Sequence, residues 1–354
     1  MERFIIGTGR CGSTLLSNIF ARHPDVLVVS EFLKGFDPGV DGDGESKSGE
    51  YFANFIAAPY VVVDLHVRRG FVPAEILAAL GGIDLATLSI PIPLVSTLPL
   101  LTDKPELLFK ESLEKVSTFP TQPMAQHYRM YFEWLREKFN RKLWIERSGA
   151  SMEILPELRR MYPEGKYVHL HRDGPETALS MRAFEFFRLY VSLYFNPPTR
   201  EELERTELAG MPIAEDDPLT WRMTEGLPSY AQFGDFWSQQ VAVGFREFLH
   251  LKPGQLLDVR FEDLIARPRE TLSVVADFFG VPQNPAWLDE AVTMIAAAPK
   301  MRAHLLSKED RAALERSCAI GQHLLGRSEW PGLDATIKLM KEISDQHAAA
   351  KRGA

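Results

Sequence analysis

Short apolar runs alternate along this chain with longer stretches in which apolar residues recur every three or four positions. Residues 4–6 (Phe-Ile-Ile), 26–29 (Val-Leu-Val-Val), 143–146, 167–171 and 256–264 read as strands, several of them apolar on both faces. Between them, Leu15, Leu16, Ile19 and Phe20 take up helical spacing, as do Tyr128, Tyr131, Phe132 and Leu135 within residues 124–139. Residues 154–161, 230–249 and 267–279 continue the pattern, the last with Gly280 as its stop. A short apolar run at 107–109 is also taken as a strand, ending at Lys110. Strand and helix in alternation predict an α/β fold: a central, P-loop-like parallel sheet flanked by helices.

Three regions break the rhythm. Residues 35–105 mix polar Gly, Asp and Ser with apolar, Pro-containing pieces and have no repeat, which predicts an inserted helical and loop cap over an acceptor site. Residues 184–195 are strongly aromatic and read as a core helix, with a pocket wall as the alternative. Residues 196–230, rich in Pro and acids, predict an exposed excursion, and the tail after Ala335 a helix that frays. The whole, residues 1–354, reads as one domain.

Composition narrows the function. With 45% hydrophobic residues the chain can bury a large core, and a net charge of −8 argues against a broad nucleic-acid surface. Two cysteines, Cys11 and Cys318, do not make a disulfide framework, so a reducing, cytoplasmic setting is expected. A core strand starting by Phe4 leaves no room for a signal peptide, and the apolar stretch 83–101 carries Asp84, Pro91, Pro93 and Pro99, against an integral membrane segment. No His/Cys/Asp spacing suggests a metal site.

The candidate chemistry begins where the first strand breaks into Gly7-Thr8-Gly9-Arg10-Cys11-Gly12-Ser13-Thr14. Glycines allow close backbone approach to an anion, and the amides and positive end of the following helix face it. Read as a nucleoside-triphosphate loop, the stretch matches at Gly7, Gly12 and Thr14, but Ser13 stands where lysine would bridge the β- and γ-phosphates. The cation is Arg10 instead. Ligands of parallel sheets bind beyond the carboxyl ends of the strands, where Arg10, Glu31, Lys110, Arg147 and Arg172 are all expected. Arg172 precedes a helix capped by Asp173 or Gly174 that places Ser180 about one and a half turns in.

Three blocks resemble the bacterial branch of the sulfotransferases that use 3′-phosphoadenosine 5′-phosphosulfate (PAPS). Residues 4–16, FIIGTGRCGSTLL, are similar to the family's 5′-phosphosulfate loop; residues 167–180, YVHLHRDGPETALS, to its 3′-phosphate block; and residues 257–282 to its late strand-and-helix block. The resemblance implies that Arg10, Cys11, Gly12, Ser13 and Thr14 hold the 5′-phosphosulfate and that Arg172 and Ser180 hold the 3′-phosphate. It departs from the family twice. The late Arg-Lys-Gly loop of many animal members is absent, with Arg327 as the candidate substitute and Trp330 as a candidate to stack on adenine, and the bacterial Glu-Lys-Thr-Pro pattern stands as Glu146-Arg147-Ser148-Gly149.

Sulfuryl transfer to an alcohol is an in-line displacement in which charge builds on the leaving phosphate, so Arg10 and the loop amides, with Arg147 or Lys110, are the expected stabilisers. An acceptor hydroxyl also needs a base. Glu31, after the second strand, is the first choice, as in some branches of the family; the rival reading has it merely pairing with Arg10. His66, His127 and His169 are the alternative bases. The expected acceptor is a hydroxylated small molecule, lipid-like or polyketide compound, or carbohydrate. A P-loop kinase or NTPase, and a nucleotide-binding module without catalysis, are the competing readings.

Overall fold

The computed structural model describes residues 1–35, 44–59, 61–71, 90–200, 202, 217–295 and 301–328. Five parallel strands form the central sheet in the order β2-β5-β1-β6-β7: β1 is Arg3–Ile6, β2 Val26–Ser30, β5 Leu143–Arg147, β6 Lys166–His171 and β7 Leu256–Arg260. The two-residue strands β3 (Ser46–Lys47) and β4 (Gln122–Pro123) make a small antiparallel pair apart from it.

Strand residues alternate between faces, so an apolar run feeds two cores. Phe4 and Ile6, Leu27 and Val29, Trp144 and Tyr167 turn to one face, where they meet Tyr128, Tyr131, Phe132 and Leu135 of the helix Met124–Lys138. Ile5, Val26, Val28, Ile145, Val168 and Leu170 turn to the other, against the helices Ser13–Ala21 (α1) and Pro268–Phe279. Both faces are buried, which is why these strands read as continuous apolar runs. A third cluster gathers the helices Gly174–Arg182 (α2), Glu185–Phe195 (α3), Tyr230–Phe248 (α4) and Lys308–Leu324 (α5) at one end of the sheet.

The run 107–109 is no strand. It lies in a helix, Pro105–Ser117, whose Pro sits in the first turn and whose Leu108, Ser112 and Val116 recur at helical spacing on the buried side. Lys110 is exposed on that helix. The last strand is also shorter than expected, since a helix, Phe261–Ala266, begins directly after Arg260. Within the expected excursion, Pro218–Thr224 is helical with Leu219 and Met223 buried. The remainder of that excursion at 203–216, the cap segments 36–43, 60 and 72–89, Trp330 and the tail lie outside the described residues.

The chain leaves β1 toward β2 on one side and is continued by β6 and β7 on the other, so the loop after β1 stands at the switch point of the sheet.

Candidate active site

The loop after β1 is built from left-handed backbone: Gly9 has φ 78°, Arg10 54° and Gly12 97°. Such a run turns successive amides into one concavity, an arrangement suited to an anion. Glycine is required at position 12 for a second reason, because a Cβ there would stand 2.3 Å from a ring carbon of Phe261. The Gly7 amide donates to Ser151 Oγ at 3.1 Å, tying the loop to the turn after β5. Cys11 is fully buried and burial pushes its thiol pKa up, so its side chain packs in the core and does not face an anion.

A cavity of about 400 Å³ opens beside the loop. Arg10, Ser13 and Thr14 form one side with Glu31 and Arg147, while Phe184, Phe186, Phe187 and Tyr190 form an aromatic wall. Ile92, Val95, Pro99 and Leu100, from the apolar stretch before residue 101, complete it. The aromatic segment is therefore both a core helix and a pocket wall: Leu189 and Val191 are buried, and the Phe186 edge meets the cavity.

Glu31 pairs with Arg147 Nη1, not with Arg10, and its second oxygen accepts from the Gly149 amide at 3.0 Å. Arg147 also reaches Ser17 Oγ of α1 at 3.3 Å. Glu31 itself is held at φ 55°, an uncommon backbone for a non-glycine residue, by a bond from its amide to the Arg147 carbonyl at 2.7 Å. Behind this pair, burial pushes the Glu146 carboxyl up to about 8; the Ser148 hydroxyl opposes the rise and the Glu31 charge adds to it.

Arg172 and Ser180 do not line the cavity; they adjoin the loop on its other flank. Arg10 Nε donates to Ser180 Oγ at 3.3 Å while its guanidinium stacks 4.5 Å from the Phe184 ring centre. The Arg172 guanidinium lies 5.3 Å from the centre of the Phe261 ring, the same ring that covers Gly12. One side chain thus spans the gap between the two blocks. Arg172 is 9% exposed, and among the described residues its guanidinium makes no hydrogen bond or ion pair. Burial lowers its pKa, Glu176 opposes that, and the neighbouring Arg302 adds to it.

The other expected residues sit elsewhere. Arg327 donates to His171 Nδ1 at 3.0 Å and to Glu262 Oε2 at 2.6 Å. His66 is stacked behind Phe186 at 3.8 Å, His127 is buried against Phe52 and the Lys47 carbonyl, and His169 holds Asp258 at 2.6 Å. None of the three histidines lines the cavity. Sequence reasoning missed Glu153, whose oxygens take the Tyr190 hydroxyl and the Gln240 amide at the cavity wall, and the roles of Phe261 and Ser17. Their partners lie far away along the chain, so no spacing signals them.

Among the described residues no group of three or more His, Cys, Asp or Glu is placed to hold a metal, and no helix is long and apolar enough to cross a membrane.

No curated protein matches the chain. It is similar in structure to the sulfotransferase domain from the curacin biosynthetic pathway, at 14% identity and TM-score 0.46 over 97% of each chain. It is also similar to the sulfotransferase domain of the Synechococcus PCC 7002 olefin synthase, at 17% identity and TM-score 0.40 over 97% of this chain and 94% of that one. A sulfotransferase from Mycobacterium avium follows at 13% identity and TM-score 0.44, covering 91% of this chain and 76% of that one. The model of the sulfotransferase family matches residues 211–285, a segment that takes in α4, β7 and the two helices after β7.

Proposed function

We propose that this protein transfers a sulfuryl group from PAPS to the hydroxyl of an acceptor with an apolar part. The observation that carries the reading is Arg172: a residue only 9% exposed, whose guanidinium reaches solvent, has no hydrogen-bond partner among the described residues and lies against the ring that covers Gly12. A partly desolvated cation without a counter-ion is a ready partner for an anionic group. Two cationic subsites so close together suit a nucleotide phosphorylated at both its 3′ and 5′ ends. Ser13, Thr14 and the amides of the loop would hold the 5′ group, and Arg172 with Ser180 the 3′-phosphate.

When bound, the donor supplies an electrophilic sulfur and a phosphate leaving group. Arg10, on the cavity side of the loop, stabilises charge developing at that phosphate, and Arg147 stands next in line. Glu31, at the cavity wall, takes the acceptor proton, with Arg147 and the Gly149 amide fixing its carboxylate. The aromatic wall and Ile92, Val95 and Leu100 favour an acceptor with an apolar body, such as a lipid-like or polyketide alcohol.

Thermal shift with adenosine 3′,5′-bisphosphate against ATP with magnesium tests the donor. The bisphosphate is expected to stabilise the protein, by about 2.7 kcal/mol at a hundredfold excess over Kd. Stabilisation by ATP with magnesium alone would overturn the reading in favour of a P-loop kinase or NTPase. Glu31→Gln is expected to keep bisphosphate binding and lose about 100-fold or more in turnover; unchanged turnover would remove Glu31 as the base.

A further inference from the structure

One buried ionisable group near the cavity has no part in that chemistry. Neighbours on a strand point to opposite faces, so while Arg147 reaches α1, Glu146 turns under the other side of β5 and is 1% exposed. Its carboxyl accepts from Ser148 Oγ at 2.5 Å, and the backbone amide of Leu33 lies close enough to steady its charge.

These two partners belong to the two segments that hold Glu31. Leu33 lies in the 3-10 turn Phe32–Gly35 that starts directly after Glu31. Ser148 precedes Gly149, whose amide donates to the Glu31 carboxylate. A residue at φ 55° is costly without such supports. Glu31 has them on both sides, and both run to one carboxyl.

We propose that Glu146 is a positioning residue: its carboxyl clamps the turn after β2 to the turn after β5, and so holds Glu31 in its left-handed backbone with its carboxylate against Arg147. The proposal rests on the reading of Glu31 as the base. The titratable and charged groups facing Glu146 are Glu31 and Arg147 at the strand ends and Tyr162 from the end of the helix Leu155–Met161. As a neutral acid, Glu146 leaves Arg147 to Glu31. Once ionised, it puts a second negative charge beside Glu31 and competes for the same guanidinium. Burial delays that ionisation to the alkaline side, at about 8.

The test uses wild type, Glu146→Gln, Glu146→Ala, Ser148→Ala and Glu31→Gln, with 2-naphthol as the probe acceptor, between about pH 6 and about pH 9.5. Glu146→Gln, which keeps an acceptor for Ser148 and the Leu33 amide, is expected to hold kcat within about threefold and to erase the alkaline limb of the profile. Glu146→Ala is expected to lower kcat by about 10- to 100-fold, with KM for PAPS and calorimetric affinity for adenosine 3′,5′-bisphosphate within about twofold. Ser148→Ala moves the same way and stands in if the alanine variant does not fold. Wild-type kcat in Glu146→Ala, or a surviving alkaline limb in Glu146→Gln, overturns the proposal while Glu31 stays the base. If Glu31→Gln retains turnover, or 2-naphthol is not a substrate, the crystal structure of Glu146→Ala decides. A displaced Glu31 backbone supports the clamp, and an unmoved one overturns it.

Discussion

Arg172 is the residue at which the proposed binding role and stability oppose each other. The residue is 9% exposed with its guanidinium over the Phe261 ring and open to solvent, and no carboxylate among the described residues lies within ion-pair distance of it. A bound anion would restore charge-assisted hydrogen bonds worth about 1.5–3 kcal/mol. Arg172→Met is therefore expected to weaken adenosine 3′,5′-bisphosphate by roughly 10- to 100-fold, read by calorimetry. The same variant should make the ligand-free protein slightly more stable, by up to about 1 kcal/mol by denaturant titration, because a partly desolvated cation without a counter-ion has been removed. A loss of stability without a change in affinity would assign Arg172 to the scaffold. The local spacing of Arg172 and Ser180 could be read from the sequence because both lie on one short strand-to-helix stretch. That Arg10 bridges to Ser180 at 3.3 Å, across 170 positions, was not.

At the scale of the element, the turn between β1 and α1 depends on Phe261, which opens a helix more than two hundred residues later. Gly12 caps α1 in a left-handed conformation that side chains resist, by about 1–2 kcal/mol, and the ring of Phe261 closes the space a Cβ would need. Gly12→Ala is expected to cost at least that strain, seen as a lower Tm, and to abolish stabilisation by the bisphosphate. Gly254→Ala is the control: it has φ 83° but open space, so it should show the backbone cost alone. The helix at 105–117 carries the complementary lesson. Three apolar residues in a row suit strand or helix equally, and what decided the matter was Pro105 in the first turn with Leu108, Ser112 and Val116 turned inward.

Across the whole molecule, protonation is linked to stability at Glu146. Its pKa is raised in the folded protein to about 8, so the folded state holds this proton more tightly than the unfolded chain. The sign follows: the contribution is complete below the unfolded pKa and is lost as pH rises toward 8, at up to about 1.4 kcal/mol per pH unit. Denaturant titration at about pH 5 and about pH 8 should show this loss in wild type, and a flatter profile in Glu146→Gln. His171 acts in the opposite direction. Burial lowers its pKa, and its Nδ1 accepts from Arg327, so acid should loosen the join between the end of α5 and β6.

The order of strands and helices, the glycine turn after β1 and the Arg172 strand-to-helix block were all determined by the chain's local pattern, because each depends on residues within about a dozen positions of one another. Which charges meet was decided only by the fold. Parallel strands are joined by long crossovers, so the ends of β2 and β5, 117 positions apart at Ser30 and Arg147, become direct neighbours. That adjacency pairs Glu31 with Arg147 and not with Arg10, and puts Glu146 beneath both. No spacing in one dimension carries that information, since a hydrogen bond depends on distance in space and not on separation along the chain.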